Sequence, residues 1–372
     1  MTPPASRYLP YLPYVVPSIL AAVYVLRRLS PVVALSRLPG PVDPGLASLP
    51  SDSRVRQVYP EDWTSGGAYV TLPMGRVRYW VVGPESGKKI TLIHGLTTPA
   101  IVFSRLVPIL VAAGYRVLLY DLYGRGYSDA PRAGAYDTAL YVMQLALLLQ
   151  HVRWEKTHVV GFSMGGAIAA AFVATFPALV ERDVVLIASA GAREEPIPLT
   201  RFRHLPLMES VTMRQVLRAH ASVRSESEAQ TPAQEIVLLQ ATHLRGYRRA
   251  VMSSLHDGPI VNMRWAFESA AWQALRVLFI HVCPVLLLFC LLSLTRRTSK
   301  GMHDPVVPPA NSPRLRAMLA AALRRGLPPG SEYVGPNTLA EVVEVQDARH
   351  DVPWTHADEV GHAMLRFLEA KD

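Results

Sequence analysis

The residues with the clearest chemical meaning are Gly161-Phe162-Ser163-Met164-Gly165, set between the apolar run THVVGF and the alanine-rich run GAIAAAFVATF. A serine in G-x-S-x-G spacing, entered from a strand and left through a helix, stands on a tight turn that presents its hydroxyl. Glycines two before and two after it let the backbones approach without Cβ clashes. A serine hydroxyl is a weak nucleophile at neutral pH. The chemistry therefore also needs a histidine to take its proton and a carboxylate to hold that imidazole in one tautomer. Two N–H donors must meet the oxyanion that develops on the attacked carbonyl. Ser163 is the expected nucleophile, with a structural turn serine as the alternative.

Several elements must hold such a turn in place. AYVTLPMGRVRYWVVG alternates around Met74-Gly75 as a hairpin, with strands over 68–72 and 76–82. Short apolar runs at 90–93, 115–120, 158–162 and 183–188 then alternate with helical stretches such as 165–176. That alternation predicts an α/β fold with a mostly parallel sheet and crossover helices.

With the serine turn in this context, the chain over roughly 65–372 resembles the α/β-hydrolase superfamily. His94-Gly95 follows the strand ITLI, the family position of the oxyanion loop, and DLYGRGYSD at 121–129 is similar to the family's glycine-rich loop. In that loop Arg125 and Asp121 are expected to fix the loop rather than act on substrate. The resemblance implies His350, in QDARHDVP after a last strand at 341–346, as the base. It implies Asp304, in GMHDPVVPP, as the acid, giving the order Ser163, Asp304, His350. Glu194 and Glu195 are the fallback acids. The backbone N–H groups of Leu96 and Met164 are the implied oxyanion donors. His356 and His362 compete for the role of base but fall in an amphipathic terminal helix for which Thr355 is a plausible N-cap. His94 belongs to the oxyanion loop.

About eighty residues, 193–275, read as helices without a new sheet period and resemble a helical cap. Phe202, Met208, Met213 and Met252 are candidates to line an acyl pocket, or simply core. His204, His220, His243 and His256 lack metal-ligand spacing, and neither a metal nor a cofactor is expected. The core is expected over 65–192 and 276–372, preceded by a Pro/Gly/Ser-rich linker at 39–64.

The net charge of +9 is uneven: residues 1–60 carry +4 and 282–300 carry +3, leaving +2 elsewhere. So small a remainder provides no stripe for a phosphate backbone, and nucleic acid is not an expected partner. Residues 8–26 have no charge, and 1–38 read as a membrane segment, with an interfacial or hairpin segment as the alternative. Pro10, Pro13 and Pro17 weaken a spanning helix. Arg27, Arg28 and Arg37 outnumber Arg7, which places a membrane-anchored catalytic domain in the cytosol. Cys283 and Cys290 are the two cysteines, so a reducing compartment is favoured.

Residues 282–300, VCPVLLLFCLLSLTRRTSK, interrupt what otherwise reads as a strand, VLFIH, running into GMHDPVVPP. Val282-Cys283 can be written GTATGT, Leu294-Thr295 with CTGAC, and Lys300 as AAG, the donor, branch and acceptor pattern of a short intron. A translated in-frame intron is the expectation, with a genuine insertion as the alternative. Together these features predict a serine hydrolase acting on carboxylic esters of a lipid or small apolar alcohol. Thioesterase, acyltransferase, amidase and carbon–carbon hydrolase chemistry stay open, as does a catalytically silent binding protein on the same fold.

Overall fold

The computed structural model describes residues 40–194, 208–221, 232–282, 314–320, 340–345 and 350–370. Its centre is an eight-stranded sheet of β2 (Gly67–Leu72), β3 (Gly75–Val82), β4 (Lys88–Ile93), β5 (Tyr115–Tyr120), β7 (Thr157–Phe162), β8 (Val180–Ile187), β9 (Arg276–Val282) and β10 (Ala340–Val345), in the order β10-β9-β8-β7-β4-β5-β3-β2. β2 and β3 form an antiparallel hairpin with Leu72 opposite Gly75, and β3 pairs antiparallel with β5. The other neighbours run parallel.

The central strands are apolar on both faces because both faces are covered. Ile90, Leu92, Val117, Leu119, Val160 and Val185 point one way, toward α2 (Leu106–Ala112) and a terminal helix over Ala357–Glu369. Ile93, Leu118, Tyr120, Val159 and Val184 point the other way, toward α3 (Thr138–His151) and α4 (Met164–Thr175). The alternation is the two-residue period of a strand. From β4 the chain goes to β5 on one side and then to β7 on the other, so the strand order reverses about β4, the switch point beside whose carboxyl ends folds of this kind place their ligand sites.

The stretch 40–63, within the expected linker, is packed. β1 (Val42–Asp43) pairs antiparallel with β6 (Ala130–Pro131), and α1 (Arg54–Val58) follows. Leu46, Val55 and Tyr59 are buried in the core. Composition misleads here because a few widely spaced apolar anchors suffice to dock a Pro- and Gly-rich chain.

The expected helical cap contains α5 (Met208–Ala221), α6 (Pro232–His243) and α7 (Arg245–Asp257). Arg54 of α1 makes a bidentate ion pair with Glu235 of α6, at 2.7 and 2.9 Å. β9 covers the VLFIH run and lies between β8 and β10. Residues 283–300 lie outside the described residues.

The expected membrane anchoring, and the cytosolic placement drawn from it, is corrected. Among the described residues no helix is long and apolar enough to cross a membrane. Residues 8–26, on which the expectation rested, lie outside the described residues. Freedom from charge is a weaker criterion than helix continuity: Pro10, Pro13 and Pro17 each remove a backbone hydrogen bond that lipid cannot replace.

Candidate active site

Ser163 stands where β7 turns into α4, with φ 55° and ψ −119°, a conformation strained for any residue with a side chain. The surroundings hold it there. Ser163 N–H donates to Ile187 O at 2.9 Å, and Ser163 O accepts from Gly166 N and Ala190 N, both at 3.0 Å. A Cβ on Gly161 would lie 2.3 Å from Gly165 O, and one on Gly165 would lie 2.1 Å from Ile93 O. Only glycine fits at either position. Met164 opens α4, so its N–H belongs to the helical first turn, whose amides have no intrahelical acceptor and carry the positive end of the helix dipole.

His350, in the turn that leads from β10 toward the terminal helix, places Nε2 2.9 Å from Ser163 Oγ. Its ring is 5.2 Å from that of Phe162. For Ser163 to donate to Nε2, the imidazole proton must sit on Nδ1, the tautomer a carboxylate would hold. Asp304 and Glu195 lie outside the described residues. Glu194 is exposed and ion-paired with Arg264 at 3.1 Å. His356 takes the N-cap position of the terminal helix that Thr355 was expected to fill, with Nδ1 2.9 Å from Thr355 Oγ1. His362 donates from Nδ1 to Asp358 O at 2.7 Å on the exposed face. Of the histidines weighed, His350 is the one that meets Ser163.

The loop after β4 abuts the serine: a Cβ on Gly95 would be 3.2 Å from Ser163 Cβ. His94 is fully buried. Its Nδ1–H donates to Gly95 O at 2.8 Å, and its Nε2 accepts Leu122 N–H at 2.9 Å. These two bonds fix one neutral tautomer, and burial pushes the ring down to about 3. Arg125, also fully buried, donates from Nε to Leu96 O at 2.9 Å and from Nη1 to Tyr141 Oη at 2.6 Å and Tyr123 O at 2.9 Å. Asp121 accepts from Ala100 N, Tyr127 N and Tyr59 Oη at 2.8–3.0 Å. Burial pushes its carboxyl up to about 6 against those bonds. Arg125 and Asp121 both bond to loop backbone, and each also bonds to a tyrosine hydroxyl, Tyr141 and Tyr59 respectively.

Residues of the cap reach the same loop, a role that sequence reading missed. Gln240 Nε2 donates to Thr97 O at 3.3 Å, and Tyr247 Oη donates to it at 3.0 Å. No local pattern marks these residues, which lie well over a hundred positions from Thr97. Met213 is buried in the apolar core with Val216 and Ile236, and Met252 packs against that core. The side chains of Phe202 and Met208 lie outside the described residues. Among the described residues, no group of three or more His, Cys, Asp or Glu is disposed to hold a metal ion.

Comparison with known proteins agrees with this architecture. The family model described as alpha/beta hydrolase fold matches residues 90–274. A serine hydrolase-like protein of Danio rerio is 32% identical over 121 residues, 32% of this chain and 36% of that protein. The match thus spans about a third of that relative. Two solved structures superpose over most of the chain. A bromoperoxidase from Bacillus anthracis has a TM-score of 0.59 at 19% identity, covering 82% of this chain and 100% of that one. A carboxylesterase from Bacillus subtilis has a TM-score of 0.59 at 15% identity, covering 86% and 96%. At such identities these two speak for the fold alone. With the family match and the sheet order in agreement, the chain belongs to the α/β-hydrolase superfamily.

Proposed function

We propose that this protein is a serine hydrolase that cleaves carboxylic esters through an acyl-enzyme on Ser163. The observation that carries the reading is the 2.9 Å contact between His350 Nε2 and Ser163 Oγ on a strained turn whose neighbours admit only glycine. The serine hydrolase-like name of the zebrafish relative accords with it.

In this reading Ser163 Oγ attacks the ester carbonyl while its proton passes to His350 Nε2. The carbonyl oxygen becomes an oxyanion and is met by the N–H groups of Met164 and Leu96. Collapse of the tetrahedral species breaks the ester C–O bond. The alcohol leaves with the proton from His350. A water molecule then gives its proton to His350 and attacks the acyl carbon, and the acid leaves as Ser163 regains its hydrogen. Asp304 is assigned, from chain order, to hold His350 Nδ1–H and to stabilise the imidazolium formed in both half-reactions. Losing one oxyanion donor costs about 10²–10³ in rate in such sites.

The test is labelling of the full chain by a fluorophosphonate, with turnover of a short p-nitrophenyl ester measured alongside. Wild type should be labelled and active, and Ser163→Ala should be neither. Retention of turnover by a folded Ser163→Ala protein would sink the assignment.

A further inference from the structure

The loop from Gly95 to Thr97 presents three successive carbonyls, and each is held by a buried side chain. Gly95 O receives His94 Nδ1–H, Leu96 O receives Arg125 Nε–H, and Thr97 O receives both Gln240 Nε2–H and Tyr247 Oη–H. In a planar trans peptide the C=O of one residue and the N–H of the next point in opposite directions. Fixing Gly95 O therefore aims Leu96 N–H, and fixing the next two carbonyls prevents the loop from rotating that peptide away.

Two of the three holds depend on the cap. Gln240 lies on α6 and Tyr247 on α7. Arg125 is itself held by α7, through Ser254 Oγ at 2.9 Å. Gln240 also accepts Gly126 N–H on Oε1 at 2.7 Å, so one side chain ties the cap to both the oxyanion loop and the glycine-rich loop. Gln240, Tyr247, Arg125 and Ser254 are all fully or almost fully buried. A cap that lifted from the sheet would break all of these bonds together.

We infer that the cap is a fixed part of the oxyanion machinery, with Gln240 and Tyr247 as positioning residues that hold the loop carrying Leu96 N–H. The inference rests on the reading of Ser163 as nucleophile. It goes beyond the lining of an acyl pocket for which residues of the cap were candidates on sequence grounds. Changes at these two buried positions should act on the transition state rather than on substrate affinity.

The experiment compares Tyr247→Phe, Gln240→Met and the double variant with wild type and Ser163→Ala. It measures kcat and KM on a short p-nitrophenyl ester and the inhibition constant of an alkyl trifluoromethyl ketone. The ketone forms a tetrahedral adduct on the serine, and its oxyanion reports the donors directly. Each single variant should lower kcat about tenfold and raise the ketone constant by a similar factor, with KM within about twofold, since a displaced donor loses part of the 10²–10³ of a missing one. Arg54→Ala, which breaks an exposed contact between α1 and the cap, should change neither. Tyr247→Phe removes one hydroxyl and leaves Gln240 on Thr97 O, so it decides the matter alone should Gln240→Met fail to fold. Folded variants with wild-type kcat and ketone constants, or with a loss confined to KM, would overturn the inference while Ser163→Ala remained dead. An active Ser163→Ala protein, or a wild type that neither turns over ester nor binds the ketone, would overturn the underlying reading and the inference with it.

Discussion

The imidazole of His94 joins its own loop to Leu122: Nε2 accepts the Leu122 N–H while Nδ1–H holds Gly95 O, so the carboxyl ends of β4 and β5 share one neutral ring. Neutrality is essential to the join. A proton on Nε2 would turn an acceptor into a donor facing another donor.

Burial lowers His94 to about 3, whereas an unfolded histidine titrates near 6.5. As pH falls below about 6.5 the unfolded chain gains a proton that the folded one refuses until about 3, so this part of the stability is lost across that window. Asp121 has the opposite sign. Its carboxyl is raised to about 6, so its contribution is present below the unfolded value near 4 and lost as pH rises through 6. The stability difference between wild type and His94→Gln should therefore shrink by about 3 kcal/mol from pH 7 to pH 4. Urea unfolding of both proteins across that range measures it, and a constant difference would remove the titration argument.

The backbone at Ser163 makes a separate prediction. Its φ of 55° is costly for alanine and free for glycine. Ser163→Gly should be more stable than Ser163→Ala by about 1 kcal/mol, although glycine ordinarily costs entropy on folding. Both should be inactive, so thermal unfolding is the measurement. An alanine variant as stable as the glycine one would mean that the turn relaxes.

Two glycines distinguish steric need from conformational need. Gly165→Ala puts a methyl 2.1 Å from Ile93 O, a backbone atom in the central sheet, and should abolish soluble expression or cost several kcal/mol. Gly134 has φ 82°, and a Cβ added there would meet nothing within 4 Å beyond its chain neighbours, so Gly134→Ala should cost only about 1 kcal/mol. Chemical denaturation of the two variants should rank them in that order.

These contrasts show which features are legible in a linear chain. β4, β5 and β7 announce themselves as short apolar runs because strands buried on both faces need no polar positions, and the β2–β3 hairpin shows through alternation around Met74-Gly75. The serine turn is legible because its glycines are demanded within five residues. His350 could be matched to Ser163 across 187 positions only through the family's place for its base after the last strand, since the helical pattern that sets His356 and His362 aside says nothing of Ser163. The hold of Gln240 and Tyr247 on Thr97 spans 143 and 150 positions and uses residue types common on any helix. The packing of 40–63 was hidden for a related reason: burial of Leu46 and Tyr59 depends on where Tyr127 and the glycine-rich loop lie, and composition does not encode that.

Residues 282–300 begin at the last residue of β9, Val282. β9 is paired with β8 from Asp183 opposite Arg276 to Ile187 opposite Ile280, and with β10 from Ala340 opposite Val277 onward. Joining His281 directly to Gly301 would remove just the last of these pairs, Val345 opposite Val282. A shorter connection between β9 and β10 also costs less to close, by about 0.6 kcal/mol for each halving of a flexible loop. The deleted stretch holds ten successive residues, 285–294, without a charge, and such a run promotes aggregation whenever it meets water. The deletion variant should therefore give more soluble protein, with thermal stability and esterase activity equal to or above those of the full chain. Sequencing of mature transcripts tests its origin independently: loss of these nineteen codons from the message would identify them as an intron, and their retention in every transcript would refute that origin.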